Sequence, residues 1–510
     1  MGTLGGFPYP PAMVRGEQSS PAPHADLDGD PGKSGNSPID RRSAFALDRP
    51  MSDLSGGGTL EGFPYPPAME RGRQSRRAPH ATGRTWPALD PALFVGSLAV
   101  LLAGTPLGLD RVAAASTVAA ALEAAPHYPG TPLPRLVLRL AVYLPLGDVA
   151  ARANLAAALL GALAITLLGR LCADLLAALR PPPHARQDAR DFLFEPFLAA
   201  GAALAAGLAL AVFQTATSAG AASATLALLA GAWLTALPLL RAQGGAGRGF
   251  ALAGLSGLAA GVDSVAGPLL WPLAFGLWLW ELHRGSRWPL LAPLLFVAAL
   301  GGAWLATTAG SVGAGSVLHS LSSLWPAGFH EHTVAVRTAA ELSDELGVVG
   351  SLLGGLGTLA LLRRAPLVAS WLVFTLVTAL LLGHPPGQSG PTFEPSRAGL
   401  PVALMAAAVP MSVGAAEVAA RLGRARIFTA IVLAALAVVS PALDGGAARW
   451  QRDARGPERL LEHALLRAPL RASVDPGTVE MDGLFRYGAA LGLRPDLEIA
   501  AHPKVRPATP

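Results

Sequence analysis

About eleven apolar runs, each close to the length of a helix that crosses a bilayer, recur between residues 92 and 442. They lie near 92–109, 151–177, 195–213, 217–240, 249–263, 266–281, 289–308, 346–362, 366–383, 399–420 and 427–442. The chain is 52% hydrophobic and 14% charged, against roughly 25% charged for a soluble domain, so it cannot cover itself with a polar surface. The expectation is an all-α polytopic membrane protein with about eleven transmembrane helices. The runs at 249–263 and 266–281 are short and divided by Asp263-Ser264. They read as two spans or as one broken, re-entrant element lining a protein-walled cavity.

Charge sets the expected orientation. Arg180, Arg186 and Arg190 follow the second run, Arg241 and Arg248 the fourth, and Arg284 and Arg287 the sixth. Arg363-Arg364 and the group Arg421, Arg424 and Arg426 follow the eighth and tenth. The positive-inside rule places all of these in the cytoplasm only with the N-terminus inside and an odd number of spans. The loops at 110–150, 309–345 and 384–398 and the C-terminal segment then face outward, as in a multi-pass protein of the inner (plasma) membrane. The net charge is only +5 and no basic stripe with interleaved aromatics appears, which argues against nucleic acid as a partner. The single cysteine, Cys172, excludes an intramolecular disulfide.

Residues 1–85 are rich in Gly, Pro, Ser and charge, lack apolar periodicity, and read as a disordered tail. A 24-residue segment is duplicated there: GTLGGFPYPPAMVRGEQSSPAPHA from Gly2 returns as GTLEGFPYPPAMERGRQSRRAPHA from Gly58. It reads as a repeated docking motif around Phe7-Pro8-Tyr9 and Phe63-Pro64-Tyr65, as a duplication without function, or as sequence upstream of a true start at Met51 or Met69. No apolar h-region follows Met1. Residues 86–442 form the expected transmembrane domain, and 443–510 a small extracytoplasmic cap, too short for an independent enzyme domain.

The outer loop 110–150 carries the densest pattern. LDRVAAASTVAAALEAA reads as an interfacial helix. PHYPGTP then turns sharply, because residues before Pro129 and Pro132 are pushed out of the helical region and Gly130 permits positive φ. In the following helix, Arg135 and Arg139 stand i,i+4 on one face. Two guanidiniums at headgroup depth either clamp a lipid-linked phosphate bidentately or snorkel to ordinary headgroups.

The stretch PHYPGTPLPRLVLRLAVYLPLGDVAARANLAAALLGALA resembles the signature of a bacterial membrane family related to protein O-mannosyltransferases, of the GT-C glycosyltransferase class. His127, Pro129, Gly130, Pro132, Leu133, Arg139, Arg152 and Asn154 occupy family positions in this resemblance. Weaker echoes are GLAAGVDSVAGPLLWPLAFGLWL, with Asp263 near the place of a usual His, and VDPGTVEMDGLFRYGAALGLRPDLEIA, carrying Arg494, Pro495 and Asp496. The resemblance implies a GT-C-like fold and transfer of a sugar from a polyprenyl-phosphate donor to an acceptor on the outer face. It implies His127, Arg135 and Arg139 near the donor, and no cofactor beyond, at most, a divalent metal ion. It also implies an outer-loop carboxylate as base or metal ligand, a role that suits removal of an acceptor proton.

This sequence departs from the family there. Relatives carry Asp-x-Gly-Glu some fifteen residues before the His, where this chain reads VAAA, and a later acidic turn reads TSAGAASATL. The nearest carboxylates are Asp110 and Glu123. Either one of them serves as base, or the chain is a degenerate paralogue. A transporter or flippase of lipid-linked material, or a non-catalytic envelope-assembly partner, is the alternative.

Other residues carry weaker expectations. His330 and His332 in FHEHT read as a solvated loop before a zinc pair. Asp263 is a functional candidate or a helix cap, and Arg170 with Asp174 reads as an i,i+4 ion pair or as snorkelling side chains. Arg397, at the mouth of the tenth run, is a candidate phosphate ligand or part of a Pro/Gly-rich connector. PERLLEHALLRA reads as a helix with Leu460, Leu461, Ala464 and Leu465 on its apolar face.

Overall fold

The computed structural model describes residues 88–499 apart from internal stretches, chiefly 110–113, 123–131, 180–193, 260–265, 309–331, 383–398 and 445–455; residues 1–87 and 500–510 lie outside the described residues. Each of the eleven apolar runs contains helix among the described residues. In chain order the helices are α1 (Leu89–Gly104), α2 (Pro132–Val142), α3 (Val149–Leu179), α4 (Phe194–Leu208), α5 (Leu210–Thr217), α6 (Ala222–Leu240), α7 (Ala246–Ala259) and α8 (Ala266–His283). After a 3₁₀ turn at Trp288–Leu290 come α9 (Ala292–Thr308), α10 (His332–Arg364), α11 (Pro366–Leu382), α12 (Gly399–Arg421) and α13 (Arg426–Asp444). The C-terminal segment adds α14 (Gly456–Arg467), β1 (Ser473–Val474), α15 (Val479–Ala490) and β2 (Glu498–Ile499). The two strands pair in parallel, Ser473 with Glu498 and Val474 with Ile499.

Among the described residues, 4 helices are long and apolar enough to cross a membrane: α3, α6, Ala339–Arg364 of α10, and α12. The number is 5 if α4 and α5, bent by 73° at their junction, count as one span. Leu89–Gly104, Trp288–Gly302, Pro366–Leu381 and Ile427–Val439 are shorter apolar helices. These helices mark a membrane protein. The sharp break falls at Ala209, inside the run expected at 195–213, while α7 and α8 are two helices whose junction, with Asp263, lies outside the described residues.

The break is satisfied from elsewhere in the chain. The first N–H groups of a helix have no partner within it, and those of Leu210 and Ala211 both donate to the Glu345 carboxylate of α10, at 2.5 and 3.2 Å. Two residues further on, Gly347 takes φ 64°, ψ 178° and interrupts α10 itself.

α12 forms the centre of the bundle. From Gly399 to Ala415 every residue is buried, and the helix packs on α3, α4, α5, α10, α11 and α13. Helices immersed in hydrocarbon gain little from hydrophobic burial and associate instead through close packing of small residues. On the α10–α12 contact a Cβ on Gly357 would overlap the Pro410 carbonyl, and one on Gly414 would overlap the Leu353 carbonyl. The two backbones therefore touch, and only glycine permits it. Buried hydroxyls turn back onto their own helices, Ser412 to the Val409 carbonyl at 2.7 Å and Thr217 to the Phe213 carbonyl at 2.9 Å.

Several ion pairs join helices of the bundle. Arg170 bridges Asp90 at 3.2 Å and Asp174 at 3.1 Å, so the i,i+4 pair read from sequence is in fact a three-residue bridge from α3 to α1. Arg241 donates to the Ala178 carbonyl at 3.1 Å, and Arg364 pairs with Glu417. Where the C-terminal segment packs, a second and smaller core forms; this is called the cap end below.

Gly414→Leu should force α12 off α10 and lower stability by about 1–3 kcal/mol or more. Thermal unfolding in detergent reads this as a depressed Tm, whereas Gly355→Ala, with open space around it, should leave Tm within experimental scatter.

Candidate functional site at the cap end

The cap end is built around the start of α3. Gly147 adopts φ 57°, a left-handed turn that glycine takes without strain, and α3 starts two residues later. Arg152 folds back from the first turn of α3: Nη1 donates to the carbonyls of Val142 and of Leu144, the latter at 2.6 Å, and Nε donates to the Asp148 carbonyl at 3.3 Å. The last carbonyls of a helix lack intrahelical partners, and the guanidinium's fork of donors meets those at the end of α2. Arg152 thus fixes the elbow between α2 and α3.

Asn154, half a turn further, is 0% exposed. Its Nδ2 donates to the carbonyls of Pro106 at 3.1 Å and Gly108 at 2.9 Å, and its Oδ1 accepts the Ala219 N–H at 2.8 Å. One amide therefore joins α3 to the chain leaving α1 and the chain leaving α5. Thr105 closes α1 by donating its hydroxyl to the Leu101 carbonyl at 2.7 Å, and Pro106 then ends it.

Over this loop sits the C-terminal segment. Leu461 and Leu465 of α14 and Leu484, Phe485 and Tyr487 of α15 pack with Leu109, Ala114, Ala115, Val118, Ala119, Leu138, Ala141, Ala150, Ala153, Ala156 and Ala219. The expected face of α14 is partly corrected: Leu461 and Leu465 are buried and Ala464 half-buried, but Leu460 points outward at 46% exposure. Glu458, in the first turn of α14, accepts the Leu109 N–H on Oε1 at 3.1 Å. Tyr487 is 2% exposed. Burial pushes its phenol above its ordinary pKa, and the nearby carboxylates of Asp148 and Glu458 push it further.

The remaining expected site residues divide by position. Pro132 opens α2, where its missing N–H is harmless, and Arg135 and Arg139 both lie on α2, one turn apart. Arg139 is half-buried, and the Arg135 side chain lies outside the described residues. Asp110, Glu123, His127, Pro129, Gly130 and Arg397 also lie outside them, as do Asp263, His330, Arg494 and Pro495. Asp110 directly follows the anchored Leu109 in the chain. Among the described residues no group of three or more His, Cys, Asp or Glu is assembled that could hold a metal ion. Sequence reasoning missed Glu458, Tyr487 and Ala219, whose roles depend on partners remote in the chain.

With this geometry in place, the class is a helical membrane protein whose conspicuous polar anchor is at the cap end. Residues 115–239 match the family model described as Protein O-mannosyl-transferase TMEM260 N-terminal domain. The matched stretch covers α2 to α6, with Arg152, Asn154 and Ala219, and leaves out the C-terminal segment; it supports a relation to the O-mannosyltransferases. No curated protein and no solved structure gives a significant match.

Two outcomes follow from the site. Asn154→Ala should leave two carbonyls and one N–H unpaired and destabilise the protein by about 2–4 kcal/mol in thermal unfolding. Asn154→Asp should be no milder at neutral pH, since a carboxylate would face the Pro106 and Gly108 carbonyls. For Tyr487, a pKa raised in the folded state means stability is complete below the unfolded phenol's pKa, near about 10, and is lost as pH rises through the folded value. Protease resistance of the C-terminal segment should therefore fall above about pH 10, and Tyr487→Phe should remove that part of the pH dependence.

Proposed function

We propose that this chain is an integral membrane glycosyltransferase of the GT-C type, taking a sugar from a polyprenyl-phosphate donor to an acceptor at the cap end. The family match over the segment that builds the cap end carries this reading. In it the N-terminus is cytoplasmic, the chain crosses the inner membrane about eleven times, and the cap end is extracytoplasmic. His127, Arg135 and Arg139 serve the donor phosphate, the arginines by charge-assisted hydrogen bonds, and Arg397 is a further phosphate ligand. A cavity of about 340 Å³ between α10, α11 and α12, lined mainly by apolar side chains such as Leu342, Leu346, Leu372 and Leu376, suits a hydrocarbon chain.

The chemistry is a displacement at the anomeric carbon. The acceptor hydroxyl oxygen bonds to that carbon, the bond to the phosphate oxygen breaks, and polyprenyl phosphate leaves with the electron pair. The acceptor proton passes to a carboxylate, Asp110 or Glu123. Asp110 follows the peptide that Asn154 holds, which favours it. Membranes holding the protein should transfer labelled mannose from polyprenyl-phosphate mannose, and Asp110→Asn should reduce turnover by about 10²-fold or more. Full activity in Asp110→Asn would move the base to Glu123. Absence of transfer by the unaltered chain across donors and acceptors would sink the enzymatic reading.

One observation favours a second reading, movement of lipid-linked material without covalent chemistry. The bent pair α4–α5, capped by Glu345 from another helix, is a discontinuous element of the kind that transporters use. Flipping of a labelled polyprenyl-phosphate sugar in proteoliposomes, without transfer, would support it.

A further inference from the structure

α14 opens Gly456-Pro457-Glu458, and a carboxylate in a helix's first turn ordinarily serves its own N-terminus. Here it also reaches the loop after α1. The carbonyl of Gly108 and the N–H of Leu109 belong to one peptide unit, and each is held by a different side chain. Asn154 Nδ2 donates to the carbonyl at 2.9 Å, and Glu458 Oε1 accepts from the N–H at 3.1 Å. Both polar groups of a single peptide are thus saturated by side chains from α3 and from the C-terminal segment.

Two further contacts make this a fitted seat. A Cβ on Gly108 would lie 2.6 Å from Glu458 Oε2 and 2.9 Å from Oε1, so the carboxylate rests on the glycine and no larger residue leaves it room. The Leu109 side chain is 0% exposed among Leu461, Leu465, Leu484 and Phe485. Peptide plane and side chain are therefore fixed from both sides, one residue before Asp110.

We propose that Glu458 is a positioning residue: seated on Gly108, it fixes the Gly108–Leu109 peptide and makes the C-terminal segment a working part of the cap-end site. Its consequence for turnover rests on the glycosyltransferase reading above; its structural half does not. Nothing in Glu458 need touch substrate. It fixes the chain up to Leu109, the residue that precedes the candidate base in sequence.

The test uses the full chain in nanodiscs, with hydrogen exchange at the Leu109 amide beside the transfer assay. Glu458→Ala removes the acceptor, and Gly108→Ala displaces the carboxylate with its charge intact. Each should speed Leu109 exchange roughly tenfold or more, the size expected for losing a hydrogen bond to a charged group. Glu458→Gln, which keeps a neutral acceptor oxygen, should fall between these and the unaltered chain. Glu462→Gln, on the exposed side of α14, should change nothing. In the transfer assay, with rates normalised to the folded fraction, both alanine variants should lower kcat with the donor KM unchanged, and Glu458→Gln should recover part of the loss.

Unchanged Leu109 exchange in both alanine variants would overturn the proposal. So would faster exchange with kcat intact. If the unaltered chain transfers no sugar, the glycosyltransferase reading falls, and the exchange measurement still decides whether Glu458 holds the loop.

Discussion

The cap end depends on one buried amide. Asn154 sits among the closely packed helix ends, where an unpaired backbone group is expensive, and it pairs three such groups from two separate turns. Those bonds settle where the chain leaves α1 and where it leaves α5, and hence where Leu109 and Ala219 enter the second core. The C-terminal segment packs onto that prepared surface, and the Arg152 elbow keeps α2 beside it.

The interior of the bundle is held differently. Charge is absent from the buried part of α12, so its position comes from shape: glycine against carbonyl at the α10 crossing, alanine and methionine elsewhere. Such packing is dense and tolerates little added volume. The interior's polar exceptions include Ser412, which turns back onto its own helix, and Glu345, which caps α5 at the bend at Ala209. At the Ala209 bend as at the cap end, a side chain from a distant segment answers backbone groups that a helix end leaves exposed.

The candidate site was legible in part. Arg152 and Asn154 were singled out only through the family resemblance, and their partners, the carbonyls of Val142, Leu144, Pro106 and Gly108 and the Ala219 N–H, are not written in any local pattern. The i,i+4 placement of Arg135 and Arg139 follows from helical periodicity alone and holds on α2. Glu458 gives no such signal. Its local pattern, an acid after a proline at a helix start, explains itself without any distant partner, and its seat is a glycine 350 positions earlier whose own neighbours are unremarkable. The bend at Ala209 was equally hidden, because Gly207 beside it is one of several glycines in the apolar runs, and Gly201 and Gly231 sit inside helices that stay unbroken.

The sequence by itself determined the class: long apolar runs must be helices, since hydrocarbon offers the backbone no other partner for its N–H and C=O groups. It also determined that Arg135 and Arg139 stand one turn apart on one helix. Only the tertiary structure decided which groups meet across the cap end and which helix is central. Those outcomes turn on steric fit between segments far apart in the chain, where a missing Cβ or a carboxylate of the right reach selects the neighbour, and no local periodicity records that choice.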